Sequence, residues 1–343
     1  MNKKKFPEVV AQFDYQNSTG CTMKSLYGNV VHGNSDPHLN GEKVTIFRPM
    51  TLEQVKERVA NRQFIAFNDD GLRPGLKHWL MENFPDRFWD VAIAEQHAIT
   101  SMAAMAKEGF KPYITIYSTF LQRGFDQIIH DVCLMNLPVV FAMDRAGMVG
   151  NDGETHQGVF DISFLRFIPN MILFAPRDNE TLIQGLEFAY TLTSPSAIRY
   201  PRGYFKELVY NSTPFTLGKA ELLKDGSSNK LFIGYGAGVS RAIDTEVLHG
   251  EDIAILDLRF VKPIDKNILI ELSKKYDNWY VFSDSQKQGG VASAILEVLN
   301  DEKIHNIQVI TFEYADSFIE HGETKQVEES LGLLPEQLVL KVK

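Results

Sequence analysis

Short apolar runs alternate with amphipathic stretches through most of this sequence, and that alternation restricts the fold more than any other feature. Strands are predicted at 88–93, 113–117, 139–143, 171–174 and 197–200, and helices at 96–107, 121–135, 162–167 and 180–191. The strand candidates are apolar on both faces, as strands of a covered parallel sheet are. Strand-then-helix repetition at this spacing implies helices packed on both sides of such a sheet. After the Pro-containing stretch 211–218 the pattern resumes, with strands at 231–235, 253–256, 279–282 and 309–312 and helices at 240–248, 266–276, 291–299 and 324–331. The expected class is α/β, with two parallel-sheet domains over 46–210 and 218–343. Residues 1–45, rich in Asn, Gly, Ser and His, read as an extended arm or linker. Thr51 and Gln54 fit a capping box that opens a helix carrying Leu52, Val55 and Val59 on one face. A strand at 64–67 and a helix at 74–83 follow. Met102, Met105 and Phe110 are expected in the core.

With 343 residues, 44% hydrophobic and 23% charged, the chain has the composition of a soluble globular protein long enough for two cores. A net charge of -9 argues against a general nucleic-acid binder. Its two cysteines, Cys21 and Cys133, provide neither a disulfide framework nor a cysteine metal site and suit a reducing cytoplasm. The basic start Met1–Lys5 lacks a following apolar segment, so no secretory signal is expected, and no run reaches the length of a membrane span. His32, His38, His78, His249, His305 and His321 have no metal-ligand spacing.

Four loops follow strand ends in the first domain, and parallel strands open such loops on one edge, where α/β folds place ligands. The first carries Glu95, in Asp90-Val91-Ala92-Ile93-Ala94-Glu95-Gln96-His97-Ala98. A half-buried carboxylate there suits proton chemistry on a bound ring, and it equally suits the first turn of a helix. The second runs Tyr117-Ser118-Thr119-Phe120-Leu121-Gln122-Arg123. Phe120 belongs either to the core or to a stacking platform, and Arg123 either pairs with Asp126 or Asp90 or faces a ligand. The third spans Asp144-Arg145-Ala146-Gly147 to Gly158, with Asp152 and His156. The fourth is Arg199-Tyr200-Pro201-Arg202-Gly203. Arg145 and Arg202 form structural ion pairs or bind a phosphate or carboxylate through their planar forks. His156, in a polar Gly-flanked loop, reads as a catalytic or substrate contact, whereas His97 and His130 fall within helices and are expected to be packed. Gly289-Gly290 opens a helix and reads as a tight turn or an anion site. There is no Walker A sequence and no G-x-G-x-x-G turn after the first strand.

Together these loops resemble the thiamine-diphosphate-dependent transketolase superfamily, and within it the 1-deoxy-D-xylulose-5-phosphate synthase family. The resemblance is specific from Phe84-Pro85-Asp86-Arg87 through Ala98 and in 116–126, 144–158 and 197–203. It is looser in Leu256-Asp257-Leu258-Arg259-Phe260-Val261-Lys262-Pro263 and Gly289-Gly290-Val291. It covers about residues 63–343, and Phe13-Asp14 with Ser18-Thr19-Gly20-Cys21 looks like the connector that precedes the family's second domain. The resemblance implies pyrimidine-binding and C-terminal domains. The family's diphosphate domain binds Mg²⁺ through a Gly-Asp-Gly motif followed by Asn, and no such motif occurs here. Two further departures are Asn68-Asp69-Asp70-Gly71, where the family has an Ala-Met pair and a small-residue turn, and Gly124-Phe125 in place of Ala-Tyr.

The resemblance implies that Glu95 hydrogen-bonds the cofactor pyrimidine and Phe120 stacks on it. Tyr117, Arg145, Asp152 and Arg202 then correspond to the groups that bind an aldose phosphate, His156 to the histidine beside the reacting carbonyl, and Arg123 to the arginine near the donor. The reaction implied is decarboxylation of pyruvate with transfer of its two-carbon unit to glyceraldehyde 3-phosphate, a step toward isoprenoid and thiamine precursors. Thiamine diphosphate and Mg²⁺ are the implied cofactors, and a complementary chain or domain with the diphosphate motif and a homo-oligomeric state are the implied partners. Two alternatives stand beside this reading: a β subunit of a 2-oxo acid dehydrogenase, and a non-catalytic fragment that assembles with a synthase.

Overall fold

The computed structural model describes residues 10–12, 87–91, 93–203 and 205–343. Its strands are β1 (Val10–Gln12), β2 (Phe88–Asp90), β3 (Tyr113–Tyr117), β4 (Val140–Asp144), β5 (Ile172–Phe174), β6 (Ser196–Arg199), β7 (Glu221–Lys224), β8 (Lys230–Gly234), β9 (Ala254–Asp257), β10 (Phe260–Lys262), β11 (Asn278–Gln286) and β12 (Gln308–Tyr314). One sheet has the order β10-β5-β6-β4-β3-β1-β2 and the other β12-β11-β8-β9-β7. All pairings are parallel except β10 on β5 and β7 on β9, the edge pairs. These are two α/β units with mainly parallel sheets. The predicted helix at 51 onward, the strand at 64–67, the helix at 74–83, Cys21, Asn68–Gly71 and most of the arm lie outside the described residues.

The predicted apolar runs form these strands because their side chains can be buried on both faces. Every residue of β3, β4 and β8 is buried. Ile114, Ile116, Phe141, Leu173 and Ala197 of the first sheet share one apolar cluster with Leu231, Ile233, Leu256, Trp279 and Val281 of the second. Each fully buried Leu, Ile or Val contributes about 1.5–3 kcal/mol, so the two units stabilise each other through a continuous core.

Several expectations are corrected. The strand predicted at 88–93 ends at Asp90, and Ile93 is half exposed, so Glu95 is reached through a short irregular link and becomes the first residue of the helix Glu95–Lys107. The single helix predicted at 121–135 is a succession of Ser118–Leu121, a 3-10 turn at Gln122–Gly124, Phe125–Gln127 and a π-helical stretch Ile128–Cys133. His97 and His130 are exposed rather than packed. Helix Glu95–Lys107 turns Ala98, Ile99, Met102 and Ala106 inward, which puts His97 on the opposite face. Of the expected core residues there, Met102 is buried, while Met105 and Phe110 are half-buried.

Gly124 is explained by its neighbour: a Cβ there would lie 2.1 Å from Ile99 Cδ1. Phe125 packs edge-on against Phe164 and Phe167. Gly289-Gly290 does open a helix, Val291–Asp301, but the chain fills that N-terminus itself. Glu313 Oε1 accepts from Val291 N–H at 2.7 Å, Ala292 N–H at 3.3 Å and the Ser285 hydroxyl at 2.9 Å. The anion expected at such a terminus is therefore an internal carboxylate, and burial pushes it above the usual range despite these donors.

Candidate active site

The ends of β2, β3, β4 and β6 open on the same edge, so the four loops meet there. Glu95 is buried, and its Oε1 accepts from the Arg123 guanidinium at 2.9 Å. Arg123 therefore pairs with Glu95, and it keeps 48% of its side chain in solvent. The same guanidinium lies 5.7 Å from the centre of the Phe120 ring. Phe120 stacks on Tyr117 at 5.1 Å, and the His156 imidazole meets Phe120 edge-on at 5.3 Å and Tyr117 at 6.4 Å. Arg145 covers the Tyr117 ring at 4.0 Å. Its Nε donates to Asp152 Oδ2 at 3.0 Å, and the same oxygen is 3.0 Å from Arg202 Nε. All eight candidates thus form one chain of direct contacts from Glu95 to Arg202.

Local backbone geometry explains the arrangement. β4 ends in the buried Asp144, whose two oxygens accept from Arg145 N–H at 2.7 Å and from Arg145 Nη1 at 2.9 Å. That bidentate grip holds Arg145 at a φ of 56°, in the left-handed region, where a short polar partner offsets the strain. Gly147 and Gly158 exchange backbone hydrogen bonds of 2.7 and 2.8 Å and close the loop at its neck. No other residue fits at 158, because a Cβ would lie 2.1 Å from the Arg145 carbonyl oxygen. His156 hangs from this closed loop, its Nδ1 2.9 Å from the Thr155 hydroxyl.

Three residues that the sequence did not single out fix the loop against the second unit. The buried Gln157 accepts from Val149 N–H at 2.9 Å and donates to the Glu320 carbonyl at 3.2 Å. Asn151 donates to Glu323 at 2.6 Å. Arg199, also buried, donates to Asp161 at 3.0 Å, to the Asp284 carbonyl at 3.0 Å and to the Gly158 carbonyl at 3.5 Å. A signal existed only for Arg199, a charge at the end of an otherwise apolar strand. Gln157 has its partner 163 residues away, and nothing local announces it. Beyond Arg202 the seam holds a cavity of about 330 Å³ lined by Met148, Lys206, Arg241, Asp284 and Glu328 among others. Its charges are mutually paired, Arg241 with Asp284 at 2.9 Å and with Glu328 at 2.8 Å.

A buried carboxylate, an aromatic shelf and an arginine-rich rim thus lie together at the strand ends of the first sheet. The models of the transketolase pyrimidine-binding domain and the transketolase C-terminal domain match residues 50–206 and 218–338. The chain is 82% identical over 264 residues to the 1-deoxy-D-xylulose-5-phosphate synthase of Aliarcobacter butzleri and 63% identical over 265 residues to that of Sulfurimonas denitrificans. Each alignment covers 77% of this chain and 44% of the relative, so the chain spans less than half the length of these relatives. A split gene transketolase described as an inactive β4 tetramer superposes with a TM-score of 0.69 at 26% identity, covering 76% of this chain and 84% of that one. The chain belongs to the transketolase superfamily, and its pyrimidine-binding and C-terminal domains are of the 1-deoxy-D-xylulose-5-phosphate synthase kind. Among the described residues no helix is long and apolar enough to cross a membrane.

Proposed function

We propose that this chain supplies the pyrimidine side and the acceptor side of a 1-deoxy-D-xylulose-5-phosphate synthase site. In that reading a two-carbon unit passes from pyruvate, with loss of CO₂, to glyceraldehyde 3-phosphate. The observation that carries it is the unbroken contact chain from Glu95 to Arg202. The residues fit an aminopyrimidine: a buried carboxylate lies beside an aromatic shelf, and its charge is balanced by an arginine that remains half in water. Bound thiamine diphosphate would supply a carbon nucleophile and an electron sink.

Glu95 accepts a hydrogen bond from a ring nitrogen and stabilises a proton there. Phe120 offers a face for the ring, and Arg123 lies near the donor. His156, set edge-on to that shelf, is placed to hold a proton on a carbonyl oxygen. Arg145 and Arg202 converge on Asp152, and a phosphate competes with that carboxylate for both guanidinium groups. Tyr117, under Arg145, sets the height of that guanidinium. The diphosphate and Mg²⁺ are assigned to a complementary chain or domain, and the assembly to an oligomer; the split gene transketolase is a structural precedent for a chain of this extent.

The test is reconstitution. The chain is mixed with a diphosphate-binding domain from a synthase, thiamine diphosphate and Mg²⁺, and CO₂ release from pyruvate and formation of the five-carbon product are measured. Turnover that requires both proteins supports the proposal. No decarboxylation in the mixture overturns it. Acyl transfer to a lipoyl domain without use of glyceraldehyde 3-phosphate would select the dehydrogenase subunit instead, and a biological effect that survives Glu95→Ala would select the non-catalytic fragment.

A further inference from the structure

Gln157 directly follows His156 and is 3% exposed, although Glu154 and Thr155 just before it lie open to solvent. A buried primary amide needs a partner at each end, and this one has both. Its Oε1 accepts from Val149 N–H at 2.9 Å across the loop, and its Nε2 donates to the Glu320 carbonyl at 3.2 Å in the second unit. One partner only donates and the other only accepts, so neither a carboxylate nor an apolar side chain of the same length satisfies both. The turns of the loop also fit the second unit. A Cβ at Gly150 would collide with Thr324, one at Gly153 would lie 3.7 Å from His321 Nδ1, and Asn151 donates to Glu323 at 2.6 Å. Residues 320–324 thus lie along the loop, and the Gln157 amide is the link withdrawn from water.

Two polar contacts of His156 lie within the loop itself. Its N–H donates to the Gly153 carbonyl at 3.0 Å, and its Nδ1 is 2.9 Å from the Thr155 hydroxyl. They shape the loop and do not place it against Phe120, whose ring the imidazole meets edge-on at 5.3 Å. Placement needs ties that leave the loop. The Gly147–Gly158 pair closes its neck, and Gln157 reaches the second unit. Arg145 stands outside that neck, gripped by Asp144 at the end of β4, and Arg202 arrives with the loop after β6. Releasing Gln157 therefore displaces the imidazole more than the two rim guanidinium groups. Resting on the function proposed above, we infer that Gln157 is a positioning residue for the reaction: its amide ties the loop to the second unit and so holds the His156 imidazole against the Phe120 shelf. Gln157 acts through His156 and not on the reacting atoms. The second unit then sets the geometry of a proton-holding group that the first unit carries.

The test has two readouts, each taken against the wild type at the same pH. In the chain alone, isotope-labelled at its histidine rings, the His156 signal is assigned by its loss in His156→Gln and followed by NMR. Gln157→Glu is expected to lose the ring-current displacement of that signal at about pH 7.5, where a carboxylate faces the Glu320 carbonyl oxygen, and to regain it at about pH 5.5, where burial favours the neutral acid with one donor and one acceptor. Gln157→Met is expected to lose it at both. Recovery on acidification compares one folded variant with itself, so the reading does not depend on the folding of Gln157→Met. In the reconstituted mixture at the higher pH, kcat is expected to fall about tenfold in both variants, the scale of one buried hydrogen bond left unmade, with the KM for glyceraldehyde 3-phosphate held within about twofold. A Gln157→Glu signal that ignores pH, or a displaced signal with wild-type turnover, overturns the inference while the proposed function stands. A raised KM with unchanged kcat assigns the amide to the rim and overturns it too. No turnover by the wild-type mixture is a failure of the proposed function, and the inference falls with it whatever the His156 signal does.

Discussion

Two arginine-carboxylate groups in this molecule use the same side chains for opposite ends. At the seam, Arg177 is fully buried and donates to Asp257 at 2.9 Å and to Glu221, while Arg259 pairs with Glu221 and donates to the Thr213 carbonyl at 3.0 Å. At the sheet edge, Arg123 and Arg202 keep 48% and 42% of their side chains in solvent, and their carboxylate partners hold them at one end only. Water can replace a partner at the edge and cannot at the seam. A buried pair that loses one member leaves an uncompensated charge, whereas a half-exposed pair can exchange partners at little cost. The contrast teaches that the degree of solvent access, more than residue type, separates a bolt from a binding group.

The comparison can be broken most severely at the seam. Arg177→Met leaves the buried pair Asp257 and Glu221 with Arg259 as the one remaining guanidinium of the two they share, and it is expected to destabilise the chain by about 3–5 kcal/mol in denaturant unfolding. An effect under about 1 kcal/mol would show that water reaches this group after all. At the edge, Glu95→Gln is expected to leave unfolding unchanged and to lower cofactor-dependent decarboxylation in the reconstituted mixture by roughly 100-fold or more. Equal activity with the amide would remove Glu95 from proton chemistry. Arg202→Met is expected to shift stability by less than about 0.5 kcal/mol, as an exposed pair does, and to raise the KM for glyceraldehyde 3-phosphate while CO₂ release from pyruvate proceeds.

Lys111 sharpens the contrast from a third side, as a cation held by a carbonyl instead of a carboxylate. Its Nζ donates to the Leu192 carbonyl at 2.5 Å, and burial lowers its pKa to about 8. The unfolded chain therefore binds more protons than the folded chain between about pH 8 and 10.5, and stability contributed at this position rises with pH across that window. Relative to Lys111→Met, the wild type is expected to gain up to about 1 kcal/mol per pH unit there. A flat difference would show that the ammonium is solvated.

Most strands were legible because a covered parallel sheet writes itself as apolar runs, and their edges moved by only a few residues. β10 was not legible: Phe260–Lys262 looks like a short turn segment, and nothing in three residues reveals pairing with Phe174 in the other unit. The helix after Phe120 was read as continuous because periodicity tolerates a π-helical turn, which moves the register by one residue without breaking the apolar face. His97 and His130 were misassigned because helical position was read without phase; the inward face defined by Ala98, Ile99 and Met102 excludes His97. The site was legible in its charged and aromatic members, since parallel strands must deliver their loops to one edge. Asn151 and Gln157 were not, because their partners, Glu323 and the Glu320 carbonyl, lie across the fold.

β10 carries a consequence of its own. The stretch of chain assigned by sequence to the second unit closes the free margin of the first sheet, and its Phe260 ring nests among Phe174, Phe188 and Phe215. The spatial border of the first unit therefore does not coincide with any cut in the polypeptide near residue 210. A fragment ended there would present an unsatisfied backbone margin and two aromatic rings, Phe174 and Phe188, stripped of Phe215 and Phe260, a sticky rim prone to recruit strands from other molecules. The two halves are laced together like a seam sewn from one side.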